Sequence, residues 1–330
     1  MAVKDIPKDS LLSTKKKFGR VGVLMGGPST ERSISLKSGQ AVLKSLKEEG
    51  LDVFGLDIKT YDLAKNIRLI KNSGIQVAFI ALHGRFGEDG QIQQVLEDLD
   101  IPYTGSGVLA SRLAMDKIAS RRIFQIHGLP VPHYRVMHRL TYHKNSPFWN
   151  NAFGFPAVIK PATHGSSIGL SIVDTKREFK KALDLAFTLD DDILIEEYLR
   201  GREITVGILK DVPLPVIEIR PGNRFFDYQA KYKPGMTRYV VPAKLKEEIS
   251  FRVKQSALLA HKFLGCEGFS RVDLILKDNR PYILEVNTIP GLTQTSLLPK
   301  AAKVVGLTFN QLCLFLLKLA YEKKKIKNTF

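Results

Sequence analysis

The sequence has 330 residues, enough for two or three domains, and its 44% hydrophobic and 25% charged content is that of a soluble globular protein. Its net charge of +17 fits nucleic acid or an anionic surface as a partner, or simply a lysine-rich composition, and part of the charge lies near the two ends, at 15–17 and 323–327. Because no basic run is interleaved with aromatic residues and no Cys/His finger spacing occurs, solvated basic tails are preferred and nucleic-acid binding is not expected. The two cysteines, Cys266 and Cys313, lie in apolar stretches and are expected to be buried free thiols rather than a disulfide.

Neither a secretory signal nor a membrane span is expected. Residues 1–18 are charged and lack an apolar centre, and the apolar run at 312–320 is too short to cross a bilayer. We therefore expect a cytoplasmic protein, with a flexible extension at 1–18 and a basic tail at 323–330.

Strands and helices alternate in the first third of the chain. The sequence predicts strands at 20–26, 53–58 and 77–84 and a short strand at 101–105, with amphipathic helices after the first and third of these strands. Such alternation is typical of a parallel sheet with helices on its faces, whose ligands collect beyond the carboxyl ends of the strands.

Polar stretches follow several of these strands and are candidates for a binding site; they lie at 29–32, 83–89 and 105–107. The last of them begins a G-x-G-x-x-A match, a pattern found in dinucleotide-binding proteins. Because no strand ending in an acidic residue follows at the required distance, we reject a dinucleotide site.

A second part of the chain begins after a helix predicted at 115–126, which is followed by Gly128 and two prolines. Residues 155–173 are predicted to form a strand, a glycine loop and a second strand. The loop at 165–169 offers backbone N–H groups and hydroxyls to a phosphate, and Lys160 adds positive charge. It is not a Walker loop, because the pattern G-x-x-x-x-G-K-[ST] is absent from the sequence.

Acidic residues cluster where two further strand-like runs meet in 193–209. Glu196, Glu197 and Glu203 lie near this junction, and from the residues alone they belong either to a ligand site or to an exposed sheet edge. The polar, aromatic segment at 223–239 lacks helical periodicity and is predicted to be a long ordered loop serving as a lid.

A hairpin near the carboxyl end carries the most specific chemical pattern. Two apolar runs, 272–276 and 282–286, flank an Asp-Asn turn and are predicted to pair. Glu285 and Asn287 share one face of their strand, and a tip loop of about three residues would place Asp273 opposite Glu285. Three such oxygen ligands suit a hard cation such as Mg²⁺; the alternative is a solvated hairpin face.

These motifs occur in the order found in one family. The chain resembles the D-alanine–D-alanine ligases of the ATP-grasp superfamily over about residues 20–320. The matching motifs are GGPSTERSISLKSG (26–39), ALHGRFGEDG (81–90), YTGSG (103–107), MDK (115–117), KP…HGSSIG (160–169), EEYLRGREITVG (196–207), YQAKY (228–232), SRVD (270–273) and EVNTIPGLTQTSLLP (285–299).

The resemblance implies an α/β fold in which a Rossmann-like parallel-sheet domain precedes an ATP-grasp unit of α+β character. The implied N-terminal substrate-binding domain spans 19–116, and the central ATP-grasp subdomain spans 117–199. The C-terminal subdomain would span 200–322 and carry the lid at 223–239, with ATP held between the central and C-terminal subdomains.

The resemblance also implies which residues bind the nucleotide and its metal ions. The nucleotide-binding residues by this match are Lys117, Lys160, Glu196, Glu197, Leu199, Glu203 and Lys231. Asp273, Glu285 and Asn287 match the ligands of two Mg²⁺ ions, for which Mn²⁺ is a substitute.

The substrate and catalytic residues follow in the same way. Glu31, with His83 nearby, would hold the ammonium group of the first D-alanine, and Ser296 would hold the carboxylate of the second. Arg271 and the backbone N–H of Gly291 resemble the groups that hold the oxyanion of the tetrahedral intermediate. The link that closes the lid is implied to consist of Glu31, Ser166 and Tyr232.

The implied activity is the ATP-dependent joining of two D-alanines through an acyl phosphate, for peptidoglycan precursor synthesis. Tyr232 in the lid favours D-alanine as the acceptor; D-lactate or D-serine are the alternatives with the same mechanism. The alternative from another class is a non-catalytic ATP-grasp or nucleic-acid-binding protein. The presence of Arg271, Asp273, Glu285 and Asn287 argues against a non-catalytic protein. The expected partners are ATP and D-alanine, with no nucleic acid or membrane span, and the expected assembly is a homodimer.

Overall fold

The structure is a computed structural model, and it describes residues 18–142, 153–222 and 236–327, with side chains up to residue 323. Within these residues the strands form three sheets: a parallel sheet of three strands and antiparallel sheets of four and six strands. The predicted fold class of α/β elements followed by an α+β half is confirmed.

The first sheet is parallel, with strand order β2-β1-β3. Its elements are β1 (Val21–Gly26), α1 (Arg32–Glu48), β2 (Val53–Ile58), α2 (Leu63–Ser73), β3 (Val77–Ile80) and α3 (Gln91–Asp98). All six residues of β1 are buried, because Val23 and Met25 pack on one face of the sheet and Leu24 on the other. A central strand covered on both faces is what a run as apolar as Val21–Gly26 predicts.

The prediction of a strand at 101–105 is wrong. Only Tyr103 pairs with the sheet, as a single parallel bridge to Ala78. Pro102 has no N–H to donate to a ladder, which limits pairing in so short a segment.

The second sheet is antiparallel, with order β4-β7-β5-β6. Its elements are β4 (Tyr134–His138), β5 (Ala157–Pro161), β6 (Ser171–Val173), α6 (Lys176–Phe187) and β7 (Asp192–Glu197). Helix α6 covers one face through Phe179, Leu183 and Phe187. The predicted glycine loop joins β5 to β6, so its position between two strands is confirmed.

The third sheet has the order β11-β10-β8-β12-β13, with β9 paired to β8. Its strands are β8 (Arg202–Leu209), β9 (Val212–Pro213), β10 (Ile217–Pro221), β11 (Thr237–Val240), β12 (Phe269–Lys277) and β13 (Arg280–Asn287). Helix α7 (Glu247–Phe263) packs on one face, where it meets Val272, Leu274 and Leu276 of β12. Because side chains alternate along a strand, Arg271 and Asp273 of β12 lie on the opposite face.

Two further pairs of helices complete these cores. Helices α4 (Val108–Met115) and α5 (Lys117–Ile126) contribute Ala114 and Phe124 to the core under α7. Helix α9 (Phe309–Lys327) packs against α1 and β3 of the first sheet, and helix α8 (Leu297–Val304) packs against α9 and against β8 of the third sheet. The domain boundaries at 116/117 and 199/200 stay a prediction. Cys266 and Cys313 are buried free thiols, as predicted.

Within the described residues no single helix is long and apolar enough to cross a membrane, although α8 and Phe309–Lys323 of α9, bent by 103° where they meet, pass that test as a pair.

The hairpin of β12 and β13 has the predicted pairing but a different tip. Asp273 lies opposite Glu285, and Arg271 lies opposite Asn287. The tip is a two-residue turn, since Lys277 pairs with Arg280, and the register shifts by one residue after Asp273. Leu284 is therefore an extra residue in β13, and this β-bulge restores the pairing that a three-residue loop would have given.

The turn itself requires residues that tolerate the left-handed backbone. Asp278 and Asn279 have φ angles of 50° and 60°, the combination of a type I′ turn, in which Asn and Asp are favoured. The backbone carbonyl of Asn279 also accepts a hydrogen bond from Arg252 of α7 at 3.1 Å, which fixes the tip to the helix below it.

We predict that Asn279→Val destabilises the protein by about 1–2 kcal/mol, because a β-branched residue resists positive φ. Asn279→Gly is the matched control, since it keeps the backbone contact to Arg252 and is expected to be neutral. Urea unfolding of both variants measures this; equal stability of the two would contradict the cost that we assign to a β-branched side chain at this positive φ.

Candidate functional site

A cavity of about 450 Å³ lies beyond the carboxyl ends of β1 and β3, between the first and third sheets. Its walls contain every described residue that the sequence assigned to substrate binding, to the oxyanion or to the link that closes the lid. These residues are Glu31, His83, Ser166, Arg271, Gly291 and Ser296. We call this cavity the first pocket.

Glu31 connects the first sheet to the glycine loop of the second. It precedes α1, is buried, and accepts a hydrogen bond from the Ser166 hydroxyl. Gly84 passes so close to the Glu31 carboxylate that a side chain there would collide with it, and its φ of +71° also favours glycine. The Glu31–Ser166 part of the predicted link is therefore present, whereas Tyr232 lies outside the described residues.

His83 is buried and neutral. Its Nε2 lies 3.0 Å from the hydroxyl oxygen of Ser38, and that oxygen accepts a hydrogen bond from the backbone N–H of Leu292. Burial lowers the pKa of His83 to about 4, although a hydrogen bond to the backbone of Ile289 opposes this. The ring thus fastens the loop after β13 to α1 without adding charge to the pocket.

Ser296 and Gly291 lie together in that loop. The Ser296 hydroxyl oxygen accepts a hydrogen bond from the Thr293 N–H at 3.0 Å and lies 2.8 Å from the Thr293 hydroxyl. Ser296 also precedes α8, so it stands at a helix N-terminus, which attracts anions such as a carboxylate.

A second cavity, of about 130 Å³, lies between the second and third sheets, and we call it the second pocket. It brings together the predicted nucleotide-binding residues that the structure describes with two of the predicted metal ligands. They are Lys117, Lys160, Glu196, Glu197, Leu199, Glu203, Asp273 and Glu285. Lys231 lies outside the described residues.

The charged groups of the second pocket are held by one another. The Lys160 ammonium lies 2.8 Å from Glu196, and the Lys117 ammonium lies 3.8 Å from Glu285. Burial lowers the pKa of Lys160, although the charge of Glu196 opposes this. Burial would raise the pKa of Glu196, but Arg121 and Lys160 hold it below its ordinary value.

The exposed-edge alternative is therefore wrong for Glu196, which is buried and takes part in two ion pairs. Its two carboxylate oxygens accept hydrogen bonds from the cationic groups of Arg121 and Lys160. Glu197 accepts a hydrogen bond from the backbone N–H of His133 at 2.9 Å, which ties β7 to the segment that precedes β4.

The hairpin of β12 and β13 forms a wall that both pockets share. Arg271 and Asn287, which pair across the hairpin, line the first pocket, and the next pair on the same face, Asp273 and Glu285, lines the second. The Arg271 guanidinium donates two hydrogen bonds to Asp273, at 2.9 and 2.7 Å. This bidentate ion pair therefore joins the two pockets.

The glycine loop marks the same border from the other side. Gly165 and Ser166 line the first pocket, and Ser167 and Ile168 line the second. Ser166 and Ser167 both have positive φ, at 51° and 58°, an uncommon conformation for residues with side chains and one that often marks functional loops.

The oxygen donors on the shared wall fit a hard divalent cation. Asp273 and Glu285 are neighbours across the strands, and the Asn287 amide nitrogen donates to Asp273 at 3.0 Å, which turns its carbonyl oxygen to the other side of the amide. Carboxylate and amide oxygens are ligands that Mg²⁺ accepts, with water and phosphate oxygens completing its shell. In the described parts of the chain no group of three or more His, Cys, Asp or Glu side chains has metal-site geometry.

Comparisons with known proteins show which family the chain is similar to. The family model described as D-ala D-ala ligase C-terminus matches residues 123–318, and the model described as D-ala D-ala ligase N-terminus matches residues 59–106. The D-alanine–D-alanine ligase of Syntrophotalea carbinolica is 47% identical over 293 residues, which cover 89% of this chain and 93% of that protein. The enzyme of the same name from Desulforamulus reducens is 45% identical over 314 residues, 92% of this chain and 99% of that protein.

The chain belongs to the D-alanine–D-alanine ligase family.

Solved structures of this family have the same fold. The D-alanine–D-alanine ligase of Bacillus anthracis superposes with a TM-score of 0.84 at 36% identity, covering 94% of this chain and 99% of that one. Its complex with ATP gives a TM-score of 0.81 at 34% identity, with the same coverage. The VanG D-Ala:D-Ser ligase of Enterococcus faecalis gives 0.79 at 29% identity, covering 92% of this chain and 99% of that one. The ATP-grasp fold and the family predicted from the motifs are confirmed.

Sequence reasoning missed two charged residues of the site. Burial, together with the negative charge of Glu31, raises the pKa of Glu88 to about 8. Glu88 lines the first pocket and accepts a hydrogen bond from the Gly84 N–H at 2.7 Å. Its acidic side chain inside the motif HGRFGEDG was the available signal. The second residue, Arg121, is fully buried against Glu196, and nothing in its helical pattern singled it out.

The neutral state of His83 predicts a pH dependence of stability. Its pKa in the folded protein, about 4, is below the ordinary value of 6.5, so the unfolded chain binds a proton that the folded protein rejects as the pH falls. The stability contributed by neutral His83 is thus complete above pH 7 and falls by about 2 kcal/mol at pH 5.

The measurement is urea unfolding of the wild type and His83→Gln between pH 5 and pH 8. The variant lacks the titrating ring, so the difference in the free energy of unfolding between the two proteins should shrink or change sign on acidification. The other histidines are present in both proteins, so their contributions to this difference cancel. A difference that stays constant over this range would show that His83 is not held neutral.

Proposed function

We propose that the protein joins two molecules of D-alanine, with cleavage of ATP, and so makes a dipeptide for peptidoglycan precursors. The observation that carries the proposal is the wall shared by the two pockets. It brings a cavity suited to small zwitterions against a cavity lined with lysines and carboxylates, with the Arg271–Asp273 pair between them. Membership in the ligase family supports the same assignment.

The first step that this arrangement serves is phosphoryl transfer. A carboxylate oxygen of the first D-alanine forms a bond to the γ-phosphorus of ATP, and the bond from that phosphorus to the ADP oxygen breaks. The product is an acyl phosphate, which is a far better electrophile than a carboxylate. Positioning and charge neutralisation dominate such transfers, and Lys117 and Lys160 supply positive charge in the second pocket.

In the second step the neutral amine of the second D-alanine attacks the acyl carbon. The new C–N bond forms, the bond from that carbon to the phosphate oxygen breaks, and phosphate leaves together with the proton that the amine nitrogen loses. The oxyanion that forms needs fixed donors, and Arg271 and the Gly291 backbone N–H are the groups proposed for it. Removal of one such donor costs about 3–4 kcal/mol in other enzymes. Glu31 is proposed to pair with the ammonium of the first substrate, and Ser296 with the carboxylate of the second.

Asp273, Glu285 and Asn287 are the residues proposed to hold two Mg²⁺ ions, or Mn²⁺ in their place. When bound, these ions neutralise phosphate charge. The contribution of the chain itself is to hold the Asp273 carboxylate in place, through Arg271 and through the Thr205 hydroxyl, which donates to it at 2.6 Å.

Exclusion of water is required because an acyl phosphate hydrolyses readily. The proposed lid, 223–239, contains Lys231 and Tyr232, and the part of it up to residue 235 lies outside the described residues. Their roles, as a phosphate contact and as the third member of the Glu31–Ser166 link, remain predictions.

The acceptor is proposed to be D-alanine rather than D-serine or D-lactate. The relatives near 47% identity are named D-alanine–D-alanine ligases, whereas the D-Ala:D-Ser ligase is similar at 29%. Tyr232 points to the same acceptor by resemblance. We also propose a cytoplasmic homodimer, as the family resemblance implies.

The direct test is phosphate release from ATP by the purified protein. We expect release with D-alanine and Mg²⁺, together with D-alanyl-D-alanine identified by mass spectrometry, and no release with L-alanine or after chelation of Mg²⁺. Reactions with D-alanine plus D-serine or D-lactate identify the acceptor. Absence of phosphate release with every D-amino acid would contradict the proposal.

A pair of arginine variants serves as the control for the site. Arg271→Met should reduce turnover by about 10²- to 10³-fold, as expected for loss of an oxyanion donor. Arg68→Met, on the exposed face of α2, should leave turnover unchanged. Equal turnover in both variants would remove Arg271 from the reaction.

A further inference from the structure

Arg121 is a buried cation that joins three elements of the fold. It lies on α5, and its side chain is fully buried. One guanidinium nitrogen donates to the Glu196 carboxylate of β7 at 2.8 Å, and the other donates to the backbone carbonyl of Ile283 in β13. The residue therefore connects the second sheet to the strand that carries Glu285.

The charges around Arg121 form a chain that ends in the second pocket. Glu196 accepts from Arg121 through one oxygen and from Lys160 through the other, at 2.8 Å in both cases. Glu196 and Lys160 line the pocket, whereas Arg121 lies behind them. Two cations and one anion leave a single positive charge, and Lys160 is the member that presents it to the pocket.

We propose that Arg121 is a positioning residue of the nucleotide site, which neutralises Glu196 and so leaves the charge of Lys160 for the phosphate groups of ATP. This inference rests on the proposed function of the second pocket. Without Arg121, Glu196 and Lys160 would form a neutral pair, and a phosphate chain entering the pocket would have to compete with Glu196 for the ammonium group. Buried charges of this kind interact strongly because solvent does not screen them.

The electrostatics of Lys160 agree with this arrangement. Burial lowers its pKa, Glu196 raises it, and the charges of Arg121 and then Lys117 lower it again. Arg121 and Glu196 thus act on Lys160 in opposite directions. A role confined to filling the core would not require the Glu196 contact, since the Ile283 carbonyl alone would accept the guanidinium.

The test compares the affinities of ATP, ADP and adenosine, which differ in phosphate charge. Calorimetry measures ATP by direct titration and the other two ligands by competition against ATP. For Arg121→Gln, which keeps a donor but loses the charge, we expect ATP and ADP to bind about tenfold more weakly and adenosine within about twofold of wild type. Arg121→Lys should retain the affinity for ATP. The double variant Arg121→Gln/Glu196→Gln restores the single positive charge of this group. Its ratio of ATP affinity to adenosine affinity should therefore return most of the way to the wild-type ratio.

Two results would overturn the proposal. One is an equal loss of affinity for adenosine, ADP and ATP in Arg121→Gln, which would indicate only a structural role. The other is unchanged affinity for all three. If Arg121→Gln does not fold, Glu196→Gln replaces it: the proposal requires its ratio of ATP to adenosine affinity to be at least that of wild type, and a lower ratio would contradict it.

Phosphate release by the wild type is measured in parallel. If wild-type protein releases no phosphate with D-alanine, the proposed function fails. If it does so and the nucleotide series shows no dependence on phosphate charge, only the role of Arg121 fails.

Discussion

The site depends on the register of the β12–β13 hairpin. Because Asp273 stands opposite Glu285 and Arg271 opposite Asn287, four polar groups occupy one face in two adjacent rows. One row lines the first pocket and the other lines the second, so the hairpin fixes the spacing between the two pockets. A slip of one residue in this register would turn these side chains to the opposite face, into the core under α7.

Burial of charge sets the second constraint. A buried ion is costly unless it is paired, and the described residues of the site satisfy this through short chains of ion pairs. Asp273 is held by Arg271 and Thr205, and Glu196 by Arg121 and Lys160. The same contacts hold these side chains in one arrangement, so the interactions that make burial tolerable also fix the geometry of the site.

Much of this was predictable from local patterns. The apolar runs predicted the parallel strands at 20–26 and 53–58, and strand alternation predicted that Asp273 and Glu285 would meet. The tip was predicted wrongly: the turn has two residues and the extra residue is Leu284, a β-bulge within the strand that the alternation of apolar and polar residues does not indicate. The contact of Arg121 with Glu196 spans 75 residues, so neither helix periodicity nor strand alternation could indicate it. The raised pKa of Glu88 likewise arises from burial and from Glu31, which is remote in sequence.

Crystals grown with ADP and Mn²⁺ would show whether the paired carboxylates of this hairpin hold divalent cations beside a nucleotide. Anomalous scattering would locate the manganese independently of the nucleotide density. We expect manganese within about 2.5 Å of carboxylate oxygens of both Asp273 and Glu285, the range of oxygen–cation contacts. Nucleotide in the cleft with manganese bound to neither carboxylate would contradict it.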